Sequence, residues 1–294
     1  PPRSTLFPYT TLFRSGEIMS LAVNAARFLM VSNPHALGHS RRLGFTNGVY
    51  LPYPMDSAER YFPGEGKHRA DWEEKYGKGV YILTTSRLDK DVKGFGDAFI
   101  KAVMDTAQKR PEARFIFLAW GNHADEFKAK IAEAGLDQQL IVLLPVGKKR
   151  RIDYYRSCDI VLDQLVYGYY GATALEAAAI GKPVIMKLRK EQYAPLYADD
   201  VAPVCHVENP TELEQSLLGL IDNADMRQSK GAAMRDWLVR NHGEEKTVPQ
   251  MLALLKLTAD RVHLPPEIAS MNPLLDDETE EEKAYHASCL KERQ

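Results

Sequence analysis

Cysteine is scarce: Cys158, Cys205 and Cys289 are the only three in 294 residues, far apart and without a C-x-x-C pair. That excludes a disulfide scaffold or thiolate metal framework and points to reduced, cytosolic thiols. Long apolar runs are missing as well. No stretch reaches the ~18 residues needed to cross a bilayer, so a membrane-spanning chain is excluded. Nor is there an excess of one charge: 38 basic against 40 acidic side chains leave a formal −2. A chain so balanced carries no global electrostatic footprint for nucleic acid. HExxH, GxSxG, P-loop and GxGxxG patterns are all absent, which removes the simplest protease, esterase and nucleotide-fingerprint readings. What remains is an ordinary globular composition, 45% hydrophobic and 27% charged, long enough for one large or two modest domains.

The two ends read differently from the middle. Residues 1–15, PPRSTLFPYTTLFRS, repeat a TLF unit and lack the basic start and apolar core of a signal peptide. They resemble translated sequencing-adapter sequence and are set aside as a non-native artefact, with the expectation that a natural N-terminal part is missing. Residues 16–62 are too short for a core of their own and read as the close of another domain and a hinge. Within them, NAARFLMVSNPHALGHS reads as helix, strand and turn, and NGVYLPYPMD as a strand running into a Pro-rich exit. Residues 264–294 turn Pro-punctuated and then acidic, with six carboxylates between Asp276 and Glu282, and read as a solvated, flexible tail.

From residue 80 to about 263 strand and helix signals alternate. Apolar runs at Val80–Thr84, Phe115–Ala119, Leu140–Leu144, Ile160–Leu162, Val184–Met186 and Val201–Cys205 are separated by helix-like stretches near 96–108, 123–134, 149–157, 172–180 and 211–223. Two more helical stretches follow near 226–241 and 246–262. This alternation predicts an α/β domain with a doubly wound parallel sheet. Ligands of such sheets bind beyond the carboxyl ends of the strands, so the segments just after strands are where chemistry is sought.

Three of those segments carry candidates. After Val80–Thr84 comes SRLDKDVKG, where Arg87, Lys90 and Lys93 precede Gly94 at a helix start. A planar guanidinium fork and mobile ammonium charges suit a diphosphate; the equal alternative is a solvated basic loop. In LAWGNHADEF, Gly121 reads as turn chemistry and His123 as a polar helix-start residue. In GYYGATALEAAAIGKPVI, Gly171 opens a short helix whose first amides, at Gly171, Ala172 and Thr173, lack partners and favour an anion. Gly181 fits a left-handed helix end and Pro183 stops the helix. Glu176 stands alone among alanines on a helix apolar almost all round, so an exposed position is disfavoured and hydrogen bonds to vicinal ribose hydroxyls are the chemistry that fits. Asp89-Lys90-Asp91 reads as a polar turn rather than a metal-holding D-x-D. Lys148 to Arg151, a basic tetrad at a helix start and unfavourable to its dipole, reads as surface.

In this order, these segments resemble the C-terminal half of the group 1, family 4 retaining glycosyltransferases, which have the two-Rossmann-domain GT-B fold. The likeness runs from about residue 20 to 260. SRLDKDVKG is similar to the family's donor-phosphate motif, which implies diphosphate binding by Arg87 and Lys93 with the Gly171, Ala172 and Thr173 amides. GYYGATALEAAAIGKPVI resembles the signature of two glutamates separated by seven residues. Glu176 matches the second, ribose-binding glutamate, whereas the first falls at Gly168. ARFIFLAWG and LIVLLPVGKKRRIDYYRSCDIVLDQ follow the family order and place the backbone of Val146 at the nucleotide base. The resemblance implies a metal-independent enzyme without a cofactor. It would move a sugar from a nucleotide diphosphate sugar to a glycan or lipid-linked acceptor hydroxyl with retention, in the cytoplasm or against the inner face of a membrane. The acceptor side, including catalytic groups, would lie in the missing domain, leaving this chain inactive alone. The missing half and Gly168 keep a non-catalytic nucleotide-sugar-binding or scaffold protein as the alternative. A sugar-nucleotide epimerase would need acid/base carboxylates that the sequence does not offer.

Overall fold

Short runs of β-branched and aromatic residues between Gly- and Pro-marked turns form the strands of this chain. A computed structural model describes residues 25–88, 96–121, 123–260 and 263–272, with five isolated positions between 280 and 291. It divides into two units, one comprising residues up to Tyr53 together with Thr247 onward, the other Pro54–Lys246.

In the first unit, strand β1 (Leu29–Val31) pairs in parallel with β2 (Gly48–Tyr50) through helix α1 (Pro34–Arg42). The stretch NPHALGHS, read from sequence as a turn, is that helix. Asn33 is its N-cap, accepting from the His35 amide at 2.8 Å, and Pro34 takes the first helical position. The Asn-Pro pair that suggests a turn serves equally well as a helix start, because the proline has no amide to leave unmatched. Arg41 fastens the unit by donating to the carbonyls of Gly48, Ile268 and Met271.

The second unit holds a six-stranded parallel sheet. Its strands are β3 (Val80–Thr84), β4 (Ala113–Leu118), β5 (Leu140–Leu143), β6 (Ile160–Leu162), β7 (Val184–Met186) and β8 (Cys205–His206), in the order β5-β4-β3-β6-β7-β8. The helices are α2 (Arg69–Tyr76), α3 (Asp97–Lys109), α4 (Ala124–Glu133), α5 (Lys148–Ser157), α6 (Ala172–Ala179), α7 (Lys190–Tyr193), α8 (Pro210–Asp222) and α9 (Ala224–His242). Helix α10 (Glu244–Ala259) and the short α11 (Pro266–Ser270) follow. The doubly wound expectation holds, and β3, β6 and β7 occupy their expected residues. One face of the sheet buries Ile82, Phe115, Phe117, Ile160 and Leu162 against apolar residues of α3, α4 and α8. The strands read as continuous apolar runs because helices cover both faces of a parallel sheet.

The last strand departs from expectation, being two residues at Cys205–His206 rather than Val201–Cys205. Ala198 and Asp199 adopt positive φ, and Val201 and Val204 donate to Asp199 and Ala202, so the preceding segment is a chain of tight turns. Helix α2 carries no apolar period. It is held by Arg69, which donates to Glu73 at 2.6 Å, Asp159 at 2.8 Å and the Gly79 carbonyl at 2.9 Å.

Strand order fixes where a ligand can go. From β3 the chain winds outward to β4 and β5, then returns to lay β6 on the other side of β3. The reversal opens a crevice at the carboxyl ends of β3 and β6, the usual binding place in an open parallel sheet.

Candidate functional site

Three pieces of chain meet at that crevice. After β3 come Thr85, Ser86 and Arg87; after β6 comes Asp163; and α6 begins at Ala172. Hydroxyl groups join them. Thr85 Oγ1 lies 3.0 Å from Thr173 Oγ1 and 3.0 Å from Tyr155 Oη, and Ser86 Oγ donates to Asp163 Oδ1 at 2.5 Å. Tyr155 is fully buried, and that burial, followed by the charge of Glu176, raises its pKa well above the usual phenol value. It therefore remains a neutral hydrogen-bonding group at any physiological pH. These bonds tie the end of β3 to the first turn of α6 on one side and to the end of β6 on the other.

Helix α6 begins without a side-chain cap. Gly171 is extended at the N-cap, the first turn holds no acidic residue, and a Cβ placed on Gly171 would meet nothing within 4 Å. Gly171 and Ala172 are exposed and Thr173 is half-buried. First-turn amides facing open space, with the helix dipole behind them, favour an anion. The far end closes as expected. Gly181 has φ +79°, its amide donates to Ala178, and the Lys182 amide donates to Ala177 at 3.0 Å, the paired bonds of a Schellman end.

Arg87, just after β3, lies against the loop that follows β4. Its stem lies so close to Gly121 that a Cβ there would come within 2.6 Å of Arg87 Cγ, and its guanidinium sits 5.8 Å from the centre of the Trp120 ring. The Leu88 amide donates to Trp120 at 2.8 Å, fixing the two loops together. Lys93, with Lys90, Asp89, Asp91 and Gly94, lies outside the described residues. His123 opens α4 without a side-chain cap bond. Val146 is half-buried in the loop from β5 to α5, beside the outward-pointing Leu144.

Glu176 is 1% exposed, as its apolar helix implies. It is not solitary. Arg151 grips it with both arms of its guanidinium, Nε to Oε2 at 2.9 Å and Nη2 to Oε1 at 2.9 Å, and Tyr61 Oη donates to Oε1 at 3.3 Å. The Arg151 pKa is raised despite burial, because its hydrogen bond to Glu176 and the nearby negative charge hold the proton. The sequence placed Arg151 in a surface tetrad; Lys148, Lys149 and Arg150 are exposed, but Arg151 turns inward. Its position, one turn into a helix whose next residues are the buried Ile152, Tyr154 and Tyr155, is the only signal that separates it from its neighbours. No motif marks Asp163 or Tyr61 in the sequence, although Asp163 is a lone charge directly after the apolar strand β6.

At Gly168 the backbone has φ +74°, and a Cβ would stand 2.5 Å from Arg189 Cγ and 3.3 Å from the Arg189 amide nitrogen. The Arg189 amide donates to the Gly168 carbonyl at 2.9 Å. A side chain of any kind is strained here, which gives a physical reason for glycine at this position.

The sequence model of the family described as Glycosyl transferases group 1 matches residues 68–237, more than half of the chain. The chain belongs to the group 1 glycosyl transferases. Mannosylfructose-phosphate synthase of Agrobacterium fabrum is 28% identical over 149 residues, covering 48% of this chain and 32% of that protein. The chain thus spans about a third of the length of this curated relative. Among solved structures, the C-terminal domain of the group 1 glycosyltransferase LpcC from Francisella tularensis superposes with a TM-score of 0.53 at 24% identity, over 64% of this chain and 98% of that one. HepE of Anabaena in complex with UDP and glucose superposes with a TM-score of 0.64 at 16% identity, over 85% and 68% of the two chains. These likenesses establish the Rossmann-like α/β fold of GT-B glycosyltransferases for this group 1 member. Among its described residues no helix is long and apolar enough to cross a membrane.

Proposed function

We propose that this chain carries the donor side of a retaining glycosyltransferase, which moves a sugar from a nucleotide diphosphate sugar to an acceptor hydroxyl. One observation carries the reading: the uncapped start of α6 is hydrogen-bonded through Thr173 and Thr85 to the strand end that bears Arg87, with buried Glu176 one turn farther in. Family membership and the UDP in the HepE structure support it. In this reading Arg87, Lys93 and the amides of Gly171, Ala172 and Thr173 hold the diphosphate. The Val146 backbone meets the base and Glu176 the ribose.

Chemistry follows from charge. As the glycosidic bond to phosphate breaks, the sugar becomes oxocarbenium-like and negative charge collects on the leaving diphosphate. Fixed cations and oriented amides stabilise that charge without reorganising, and without calling on a metal or cofactor. Residues 16–62 would close the acceptor domain and the hinge, residues 63–263 would form the donor domain, and residues 264–294 a flexible tail. The acceptor, a glycan or lipid-linked hydroxyl, would bind outside this donor domain, with the enzyme cytoplasmic or against the inner membrane face. The chain alone would then bind donor without turnover.

Gly168 favours a second reading, a non-catalytic nucleotide-sugar binder, because no carboxylate stands where the family places its first signature glutamate. Ligand-detected NMR with UDP-, GDP- and ADP-sugars separates the cases when repeated on this chain joined to the acceptor domain of a group 1 relative. Binding by the chain and transfer by the joined protein support the enzyme. Binding without transfer in the joined protein supports the binder, and transfer by this chain alone contradicts the division of labour.

A further inference from the structure

Glu176 cannot receive a ribose as it stands. A vicinal diol offers two donors to a carboxylate, one per oxygen, and both oxygens already accept from Arg151 while Oε1 also accepts from Tyr61. A carboxylate has about four lone-pair directions, and three are taken. The remaining surface is closed, since Glu176 is 1% exposed. One of the two partners has to move. Tyr61 is 4% exposed, whereas the Arg151 side chain is 24% exposed and projects from the first turn of α5. Arg151 is the lid on the carboxylate.

We propose that Arg151 sets how tightly the donor's ribose is held, by competing with the vicinal hydroxyls for Glu176. The inference rests on the donor-site reading above. The guanidinium fork and the diol want the same geometry, two parallel donors to two carboxylate oxygens, so they exclude each other. A nucleotide must therefore displace a charge-assisted pair before its ribose can bind. The opposite role, Arg151 as a brace holding Glu176 in place for the ribose, predicts the opposite sign on removal.

The test compares wild type with Arg151→Met, which keeps an apolar stem of similar length. Calorimetric titrations at pH 8 would use UDP, GDP and ADP and their 2′,3′-dideoxy forms. The expected result is that the ribonucleotide that binds does so roughly tenfold or more tightly to the variant, while its dideoxy form binds both proteins equally. Unchanged or weaker ribonucleotide binding by the variant overturns the inference, and so does an equal gain for the dideoxy form. If no nucleotide binds either folded protein, the donor-site reading itself fails. Should Arg151→Met not fold, Arg151→Lys keeps the charge but loses the fork. It is expected to show a smaller gain confined to the same ribonucleotide, and no gain overturns the proposal.

Discussion

Gly168 shows how one backbone angle can decide a residue type. With φ +74° and Arg189 Cγ 2.5 Å from where a Cβ would stand, alanine meets both torsional strain and a root-of-side-chain clash. Gly168→Ala is expected to cost about 1–3 kcal/mol in urea denaturation, and Gly168→Glu at least as much without tightening nucleotide binding. A neutral Gly168→Ala would mean that this loop takes another path. The Arg151–Glu176 pair makes a similar point about charge. A half-buried guanidinium bound at 2.9 Å to each oxygen of a buried carboxylate leaves an uncompensated charge when either partner is removed. Arg151→Met or Glu176→Gln alone should cost about 3 kcal/mol of stability, and the double variant clearly less than the sum of the two. Strict additivity in that cycle would contradict the pairing.

Helix α6 is held to its place by what surrounds its end. Gly231 of α9 lies so near that a Cβ there would come within 2.1 Å of the Gly181 carbonyl oxygen. Arg235, one turn on, donates to the carbonyls of Ala179, Tyr61 and Ser57. Gly231→Ala should push α9 from α6 and lower stability by about 1–3 kcal/mol; an unchanged melting temperature would refute that close approach. Elements of this kind differ in how far the sequence reveals them. The alanine run, Gly181 and Pro183 marked α6 almost to the residue, because propensity, cap and stop agree. Helix α2 was invisible, since its hold is the Arg69 network to Asp159 and Gly79 and the single buried Trp72, packed on Tyr81 and Tyr154, rather than an apolar stripe. The NPHALGHS stretch misled because its residues serve a helix cap and a turn equally. Glu176 was singled out as the odd carboxylate, but its partner Arg151 lies 25 residues away on another helix, and no local pattern joins them. Sequence periodicity reports burial; it does not report which buried charges meet.

The whole molecule carries a pH signature that follows from its buried acids. Burial pushes the Cys158 thiol from its ordinary value of 9.0 up to about 12. Burial, then the Glu176 charge, pushes the Tyr61 phenol from 10.0 up to about 12. Both neutral forms belong to the folded state, so their stabilisation is complete below pH 9 and is lost as pH rises toward 12, where the unfolded groups ionise first. Cys158→Ala should flatten the fall in stability over that window by about 1.4 kcal/mol per pH unit, read from urea melts at successive pH values. An unaltered slope would place the thiol elsewhere. On the same scale, the return of the chain from β5 to β6 creates the crevice; the expected alternation of elements gives the parallel sheet and the strand ends as the binding side, but not the strand order that puts the crevice between β3 and β6. The hydroxyl chain that ties Arg87's loop to α6 was not foreseen. The donor-site claim is tested most directly by titrating UDP, GDP and ADP into the chain by calorimetry, beside Arg87→Ala and Glu176→Gln proteins of verified fold. The account predicts that one nucleotide binds and that each substitution weakens it roughly tenfold or more. Binding that neither substitution affects, or none to the folded wild type, would contradict it.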